Sequence, residues 1–135
     1  MDALDLRILD QLQRDATPSL DQLASNVGSS RTPVWNRIRK LRERGVIDRQ
    51  VAVLNPDHVG LGGCFFVLVR TSEHETDWLA RFQAAVEEIP EIVEAHRLAG
   101  DVDYILKVRV RDARDYDRFY KELVSKVKIF NVTSL

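Results

Sequence analysis

Apolar residues return at a helical interval through the first third of the chain. Leu4, Ile8 and Leu12 lie four apart with Leu9 beside them and charged residues between, which predicts an amphipathic helix from about Ala3 to Arg14. Thr17-Pro18 breaks it. Ser19, with Gln22 three residues on, has the spacing of a capping box, and Leu20, Leu23, Ala24 and Val27 give a second, short helix stopped at Gly28. Ser29 or Ser30 can cap a third helix, Pro33 is acceptable in its first turn, and Gly45 ends it. Val34, Ile38 and Leu41 form its apolar stripe. The stretch VIDRQVAVLNP then has the β-branched content of a short strand, broken at Asn55-Pro56, with a hinge expected over His58 to Gly63. A domain boundary is placed near Asp57, giving units 1–56 and 57–135.

Beyond the hinge the period changes. GGCFFVLVRT reads as a buried strand, and TDWLARFQAAVEEIP as a helix with Leu79, Phe82, Val86 and Ile89 inward. IVEAHRLAG and YILKVRVRD read as two strands joined across Gly100-Asp101-Val102-Asp103. In the second, Leu106, Val108 and Val110 alternate with Lys107, Arg109 and Arg111, so one face is buried. Asp112 caps a last helix with Tyr116, Phe119, Tyr120, Leu123 and Val127 inward, and KIFNVTSL begins another strand. The expected class is α+β: an N-terminal winged helix-turn-helix followed by a C-terminal ferredoxin-like βαββαβ domain, one sheet face open and helices on the other. Each unit is small for its surface, so self-association through the bare sheet face is expected, a homodimer first.

Composition narrows the class. The 135 residues are 44% hydrophobic and 30% charged, as in globular proteins. No apolar run approaches the roughly 20 residues that cross a bilayer, the first residues lack a secretory pattern, and no membrane partner is indicated. With Cys64 the only cysteine there is no internal disulfide framework, and the cytoplasm is the expected compartment. His58, His74, His96 and Cys64 are too dispersed to suggest a metal site, and no cofactor is indicated.

Charge distribution changes the picture further. Net charge is −1, yet residues 31–49 hold seven basic side chains against Glu43 and Asp48, a local +5 that leaves −6 on the rest. Such segregation is an electrostatic footprint for a polyanion. In a helix-turn-helix the N-terminal part of the second helix of the motif meets base edges in the major groove of double-stranded DNA. Here that part is Ser30, Arg31, Thr32, Trp35 and Asn36. Arginine suits guanine and asparagine suits adenine, while Arg37, Arg39 and Lys40 are placed for phosphates. Two of these have a competing structural reading. Trp35 can pack against a neighbouring helix, and Arg37 can pair with the first helix.

LDLRILDQLQRD, then LASNVGSSRTPVWNRIRKLRERGVI, then a βαββαβ domain containing AGDVDYILKV, resembles the Lrp/AsnC family of leucine- and asparagine-responsive transcription regulators over the whole chain. The resemblance implies a homodimer built through the second domain, assembly into tetramers or octamers, and an amino acid or related metabolite bound between subunits. Carried onto this chain, the effector loop is Gly100, Asp101, Val102, Asp103 and Tyr104, with Thr133 and Ser134 of the last strand in the same cleft. Backbone donors at a glycine turn suit a carboxylate, and a carboxylate side chain suits an α-ammonium. The competing reading makes Gly100-Asp101 a plain hairpin turn with Asp103 bonded to local backbone. Compared with the family, the last strand is expected to be cut short at Leu135. The same two-domain plan also resembles siroheme decarboxylases, with His96-Arg97 in the relevant strand, although their tetrapyrrole pocket lacks the GDxDY loop present here.

Overall fold

The computed structural model describes residues 1–71 and 76–129, and the backbone of 131–134; His74 lies outside the described residues. The chain divides into two compact units, Met1–Val53 and Leu54–Leu135.

The first unit is three helices, α1 (Ala3–Arg14), α2 (Leu20–Asn26) and α3 (Arg31–Glu43). Asp2 caps α1 by accepting from the Asp5 amide while the Asp5 carboxylate accepts from the Asp2 amide, a reciprocal box the apolar pattern did not reveal. At α2 only half of the expected box forms: Ser19 accepts from the Gln22 amide, but the Gln22 side chain donates to Asn26 instead. Ser30 stands at the N-cap of α3 without a side-chain capping bond. Gly28 takes φ +71°, which lets the Ser29 amide reach the Ala24 carbonyl and the Gly28 amide reach Ser25. That paired closure ends α2 and aims α3. Gly45 closes α3 in the same way, with Val46 bonding back to Leu41. Ile8, Leu23, Ala24, Val27 and Val34 form the core, flanked by Leu4, Leu12, Leu20 and Ile38. The small Ala24 side chain is what lets the helices approach.

The strand expected over Val46–Leu54 is absent. The segment is irregular, and Val53 is 93% exposed. A strand needs a neighbour for its amides and carbonyls, and among the described residues no other strand pairs with this one. The unit is therefore a helix-turn-helix without a formed wing. Downstream, Asn55 caps a single 3-10 turn, Pro56–Val59, in place of an open hinge.

The second unit runs β1 (Gly63–Arg70), α4 (Thr76–Glu88), β2 (Ile92–Arg97), β3 (Tyr104–Val110), α5 (Ala113–Lys126), β4 (Asn131–Ser134). The sheet order is β2-β3-β1-β4 with every neighbour antiparallel, the split βαβ arrangement. Val67 faces Leu106 and Phe65 faces Val108 across β1 and β3. Gly63 sits so close to β3 that a Cβ there would lie 2.9 Å from the Val110 carbonyl oxygen.

Three expectations about burial change. β1 is not buried on both faces: Val67 and Val69 are in the core, whereas Phe66 on the bare face is 41% exposed. In α4, Trp78 is the largest core side chain, its indole N–H donating to the Lys128 carbonyl, and Leu79 and Val86 only flank it. In α5, Phe119 and Leu123 point inward, with Val127 just beyond the helix, but Tyr120 is exposed.

Candidate functional site

The basic surface of the first unit is carried by α3. Val34 and Leu41 are buried and Ile38 half-buried, so the remaining positions are displaced outward. Ser30, Arg31, Thr32, Trp35, Arg39 and Lys40 are exposed and Asn36 is half-exposed. Arg31 pairs with Asp21 at 3.5 Å, both largely in solvent, an interaction weak enough to be exchanged for a phosphate. Arg39 lies over the Trp35 ring, 5.4 Å from its centroid, and 3.4 Å from Glu43. Trp35 is 51% exposed, so its indole is presented to solvent rather than packed away. With Leu20 and Ile38 it lines a shallow groove that continues along Arg42. Arg42 donates to Gln50 at 2.6 Å, drawing the irregular segment back onto the helix.

Arg37 makes the pairing with the first helix that its competing reading describes. One of its terminal nitrogens donates to both Asp2 and Asp5, tying the middle of α3 to the N-terminus of α1. The guanidinium, together with the Asp5 amide, holds the Asp2 carboxyl down to about 2, and the two carboxylates raise the arginine in turn. The physical reason is local: the capping box concentrates two carboxylates at one helix end, and Arg37 is the cation that reaches them. Arg7 on α1 makes a second tie, donating from Nε to the Val27 carbonyl at the end of α2.

In the second unit, Gly100 has φ +135° in the β2–β3 connection, where Leu98 donates to the Asp103 carbonyl. Asp101 is exposed, and Val102 is half-buried. Asp103 is a clamp to β1: its amide donates to the Val69 carbonyl, and its carboxylate accepts from the Thr71 amide at 2.8 Å. The partner lies 32 residues upstream, so the bond is not a local turn contact. Tyr104 is half-buried against Phe82, ring centroids 4.6 Å apart. The backbone of Thr133 and Ser134 pairs with Leu68 and Val67; their side chains lie outside the described residues. Sequence reasoning missed an ion cluster in which Arg118 joins Glu91 at 2.6 Å and Asp115 at 2.9 Å. The Arg111 amide and the two guanidiniums hold the Asp115 carboxyl far below the usual range. Its signal was the acid following Asp112 in the first turn of α5. Among the described residues no cluster of histidine, cysteine or carboxylate could hold a metal ion, and no helix is long and apolar enough to cross a membrane.

Both halves match known families. Residues 1–42 fit the AsnC-type helix-turn-helix domain and residues 64–135 fit the Lrp/AsnC ligand binding domain. The chain belongs to the Lrp/AsnC family. Members of similar sequence include the glutamate uptake regulatory protein of Zymomonas mobilis, 46% identical over all of this chain and 82% of its own length. A DNA-binding transcriptional activator of Escherichia coli strain K12 is 42% identical over 99% of this chain and 89% of its own. Among solved structures, an AsnC family transcriptional regulator from Agrobacterium tumefaciens superposes with TM-score 0.94 at 48% identity, covering all of this chain and 88% of that one. A transcriptional regulator from Neisseria meningitidis, solved as a complex with L-methionine, superposes with TM-score 0.93 at 27% identity over the same shares. These Lrp/AsnC proteins are regulators, and none supports the decarboxylase reading. A helix-turn-helix for DNA is thus joined, in one chain, to a ligand-binding domain.

Proposed function

We propose that this Lrp/AsnC protein is a cytoplasmic, sequence-specific transcriptional regulator whose DNA affinity or oligomeric state responds to an amino acid. The observation that carries the reading is the sorting of α3: its apolar stripe is buried while Arg31, Thr32, Trp35, Arg39 and Lys40 stand exposed on one short helix. Arg31, Thr32 and Asn36 are proposed to read base edges with Ser30 beside them. Arg39 and Lys40 hold phosphates, and Trp35 supplies an apolar surface for sugar or thymine methyl. Arg37 serves this interface indirectly, by fixing α3 against α1.

The bare sheet face, with Phe66 and Leu68 on β1 and Ile105 on β3, supports homodimer formation, and two α3 helices about 34–36 Å apart would then meet successive major grooves. Tetramers or octamers are built on that dimer. The effector cleft is proposed around Gly100, Asp101, Val102 and Tyr104, with Thr133 and Ser134 adjoining; Asp103 shapes it through Thr71 rather than by meeting the ligand. Amino acids are the ligand class favoured by the L-methionine complex of the Neisseria relative.

Selection from a random duplex pool tests the reading. The parent is expected to enrich one two-fold symmetric site, and Asn36→Ala to relax preference at one position of each half-site by roughly 1–3 kcal/mol. Enrichment of no site, or unchanged preference in the variant, would remove α3 from the role of reader.

A further inference from the structure

The turn that launches α3 is only partly held by its own residues. The amides of Val27, Ser29 and Gly28 return to the carbonyls of Leu23, Ala24 and Ser25, but no backbone amide among the described residues reaches the Val27 carbonyl. Its donor comes from another helix: Arg7 Nε, 20 residues upstream on α1, lies 3.1 Å away. Val27 is buried, so water is a poor substitute for that donor. α2 has no basic residue in its own last turn, and Arg7 supplies the cation that a helix C-terminus favours. Ser30, the N-cap of α3, makes no side-chain capping bond, so the entry of α3 lacks the local fixing that a cap would give. Farther along, Arg37 ties the middle of α3 to Asp2 and Asp5. Residues of the first two turns of α1 and its cap thus grip α3 at its middle and the turn at its entry, two points that set its direction.

We propose that Arg7 is a positioning residue for sequence reading: by holding the Val27 carbonyl it sets where the N-terminal half of α3, with Arg31, Thr32 and Asn36, meets the base edges. Arg7 itself touches no DNA. The inference rests on α3 as the reader of bases and adds to it a residue from outside the two helices of the motif. Contacts to base edges are directional hydrogen bonds that weaken steeply with misalignment, whereas contacts to phosphates fix position without reading sequence. Loosening the entry of α3 therefore costs discrimination between sequences before it costs affinity for DNA in general.

Binding of the full chain to the duplex selected by the parent and to a scrambled duplex, followed by fluorescence anisotropy over a range of salt, tests it. Each protein is measured at a temperature where its melting curve shows it folded. Arg7→Met removes the donor and keeps the apolar stem. Its ratio of specific to non-specific affinity is expected to fall at least about fivefold, the cost of one mismatched base pair, with the salt slope unchanged. Arg7→Lys keeps a cationic donor for the carbonyl and should hold the ratio within about twofold of the parent; a lysine variant as indiscriminate as the methionine one would overturn the tie as the cause. If Arg7→Met does not fold, Arg7→Gln, with its donor on a shorter neutral stem, takes its place under the same criteria. A lower melting temperature with the parent's ratio would make Arg7 a support of the fold alone and overturn the proposal. A slope reduced by about one unit with the ratio kept would make it a phosphate ligand and overturn the proposal equally. A parent that does not distinguish the two duplexes would overturn the reading of α3 and this proposal with it.

Discussion

Replacing Asp103 by alanine separates two roles that its position in the GDVDY loop leaves mixed. The carboxylate accepts from the amide of Thr71, a residue only 8% exposed, so its removal leaves a largely buried donor at the end of β1 without that acceptor. A hydrogen bond to a charged acceptor is worth about 1.5–3 kcal/mol. For a unit of this size, each kcal/mol moves the midpoint by about 4–8 °C, so a fall of at least roughly 6 °C is expected. Asp103→Asn keeps an acceptor oxygen and should cost less, below about 1.5 kcal/mol. Both variants and the parent would be unfolded by heat and by urea without any amino acid, following the β-sheet signal. The clamp predicts the order parent, asparagine, alanine in that ligand-free series. An alanine variant as stable as the parent would refute the reasoning and return Asp103 to the ligand.

Other outcomes follow from the same geometry. Arg37→Ala should lower the melting temperature of the helical unit by freeing the capping carboxylates of α1, yet leave the salt dependence of DNA binding unchanged; a flatter dependence would make Arg37 a phosphate ligand after all. Asp2 and Asp115 have folded values below the ordinary 3.8, so the stability they confer is complete above about pH 4. It is lost as pH falls toward about 2 and below. Melts between pH 5 and 2 should show that decline, and a smaller one in Asp115→Asn. Gly28→Ala forces a side chain into a left-handed backbone where nothing else crowds it, so a cost of about 1–2 kcal/mol in urea denaturation is expected.

Much of this fold could be read from spacing because local rules and burial agree. Leu4, Ile8 and Leu12 mark α1, and Gly28 and Gly45, both at positive φ, stop α2 and α3 where the pattern ends. Alternation from Leu106 to Val110 announced β3. Where the reading failed, the deciding partner was distant in the sequence or absent among the described residues. Val51 and Val53 have the composition of a strand, but composition supplies no neighbour for their backbone. Trp78 was passed over in favour of Leu79 because adjacent helical positions share an apolar arc; its indole N–H finds the Lys128 carbonyl 50 residues away. Tyr120 failed for the complementary reason, lying one step from Phe119 on an arc that the sheet covers only in part. At the candidate site, the exposed residues of α3 were legible from charge and helical phase, whereas the tie from Arg37 to Asp2 depends on how α1 and α3 cross.

The central claim is that α3 carries the DNA-binding surface, and the salt dependence of binding tests it most directly. With a selected duplex, the logarithm of affinity should fall linearly with the logarithm of salt concentration, and Arg39→Ala and Lys40→Ala should each reduce the slope by about one unit. Slopes in both variants equal to the parent's would contradict the account and place the DNA elsewhere on the chain.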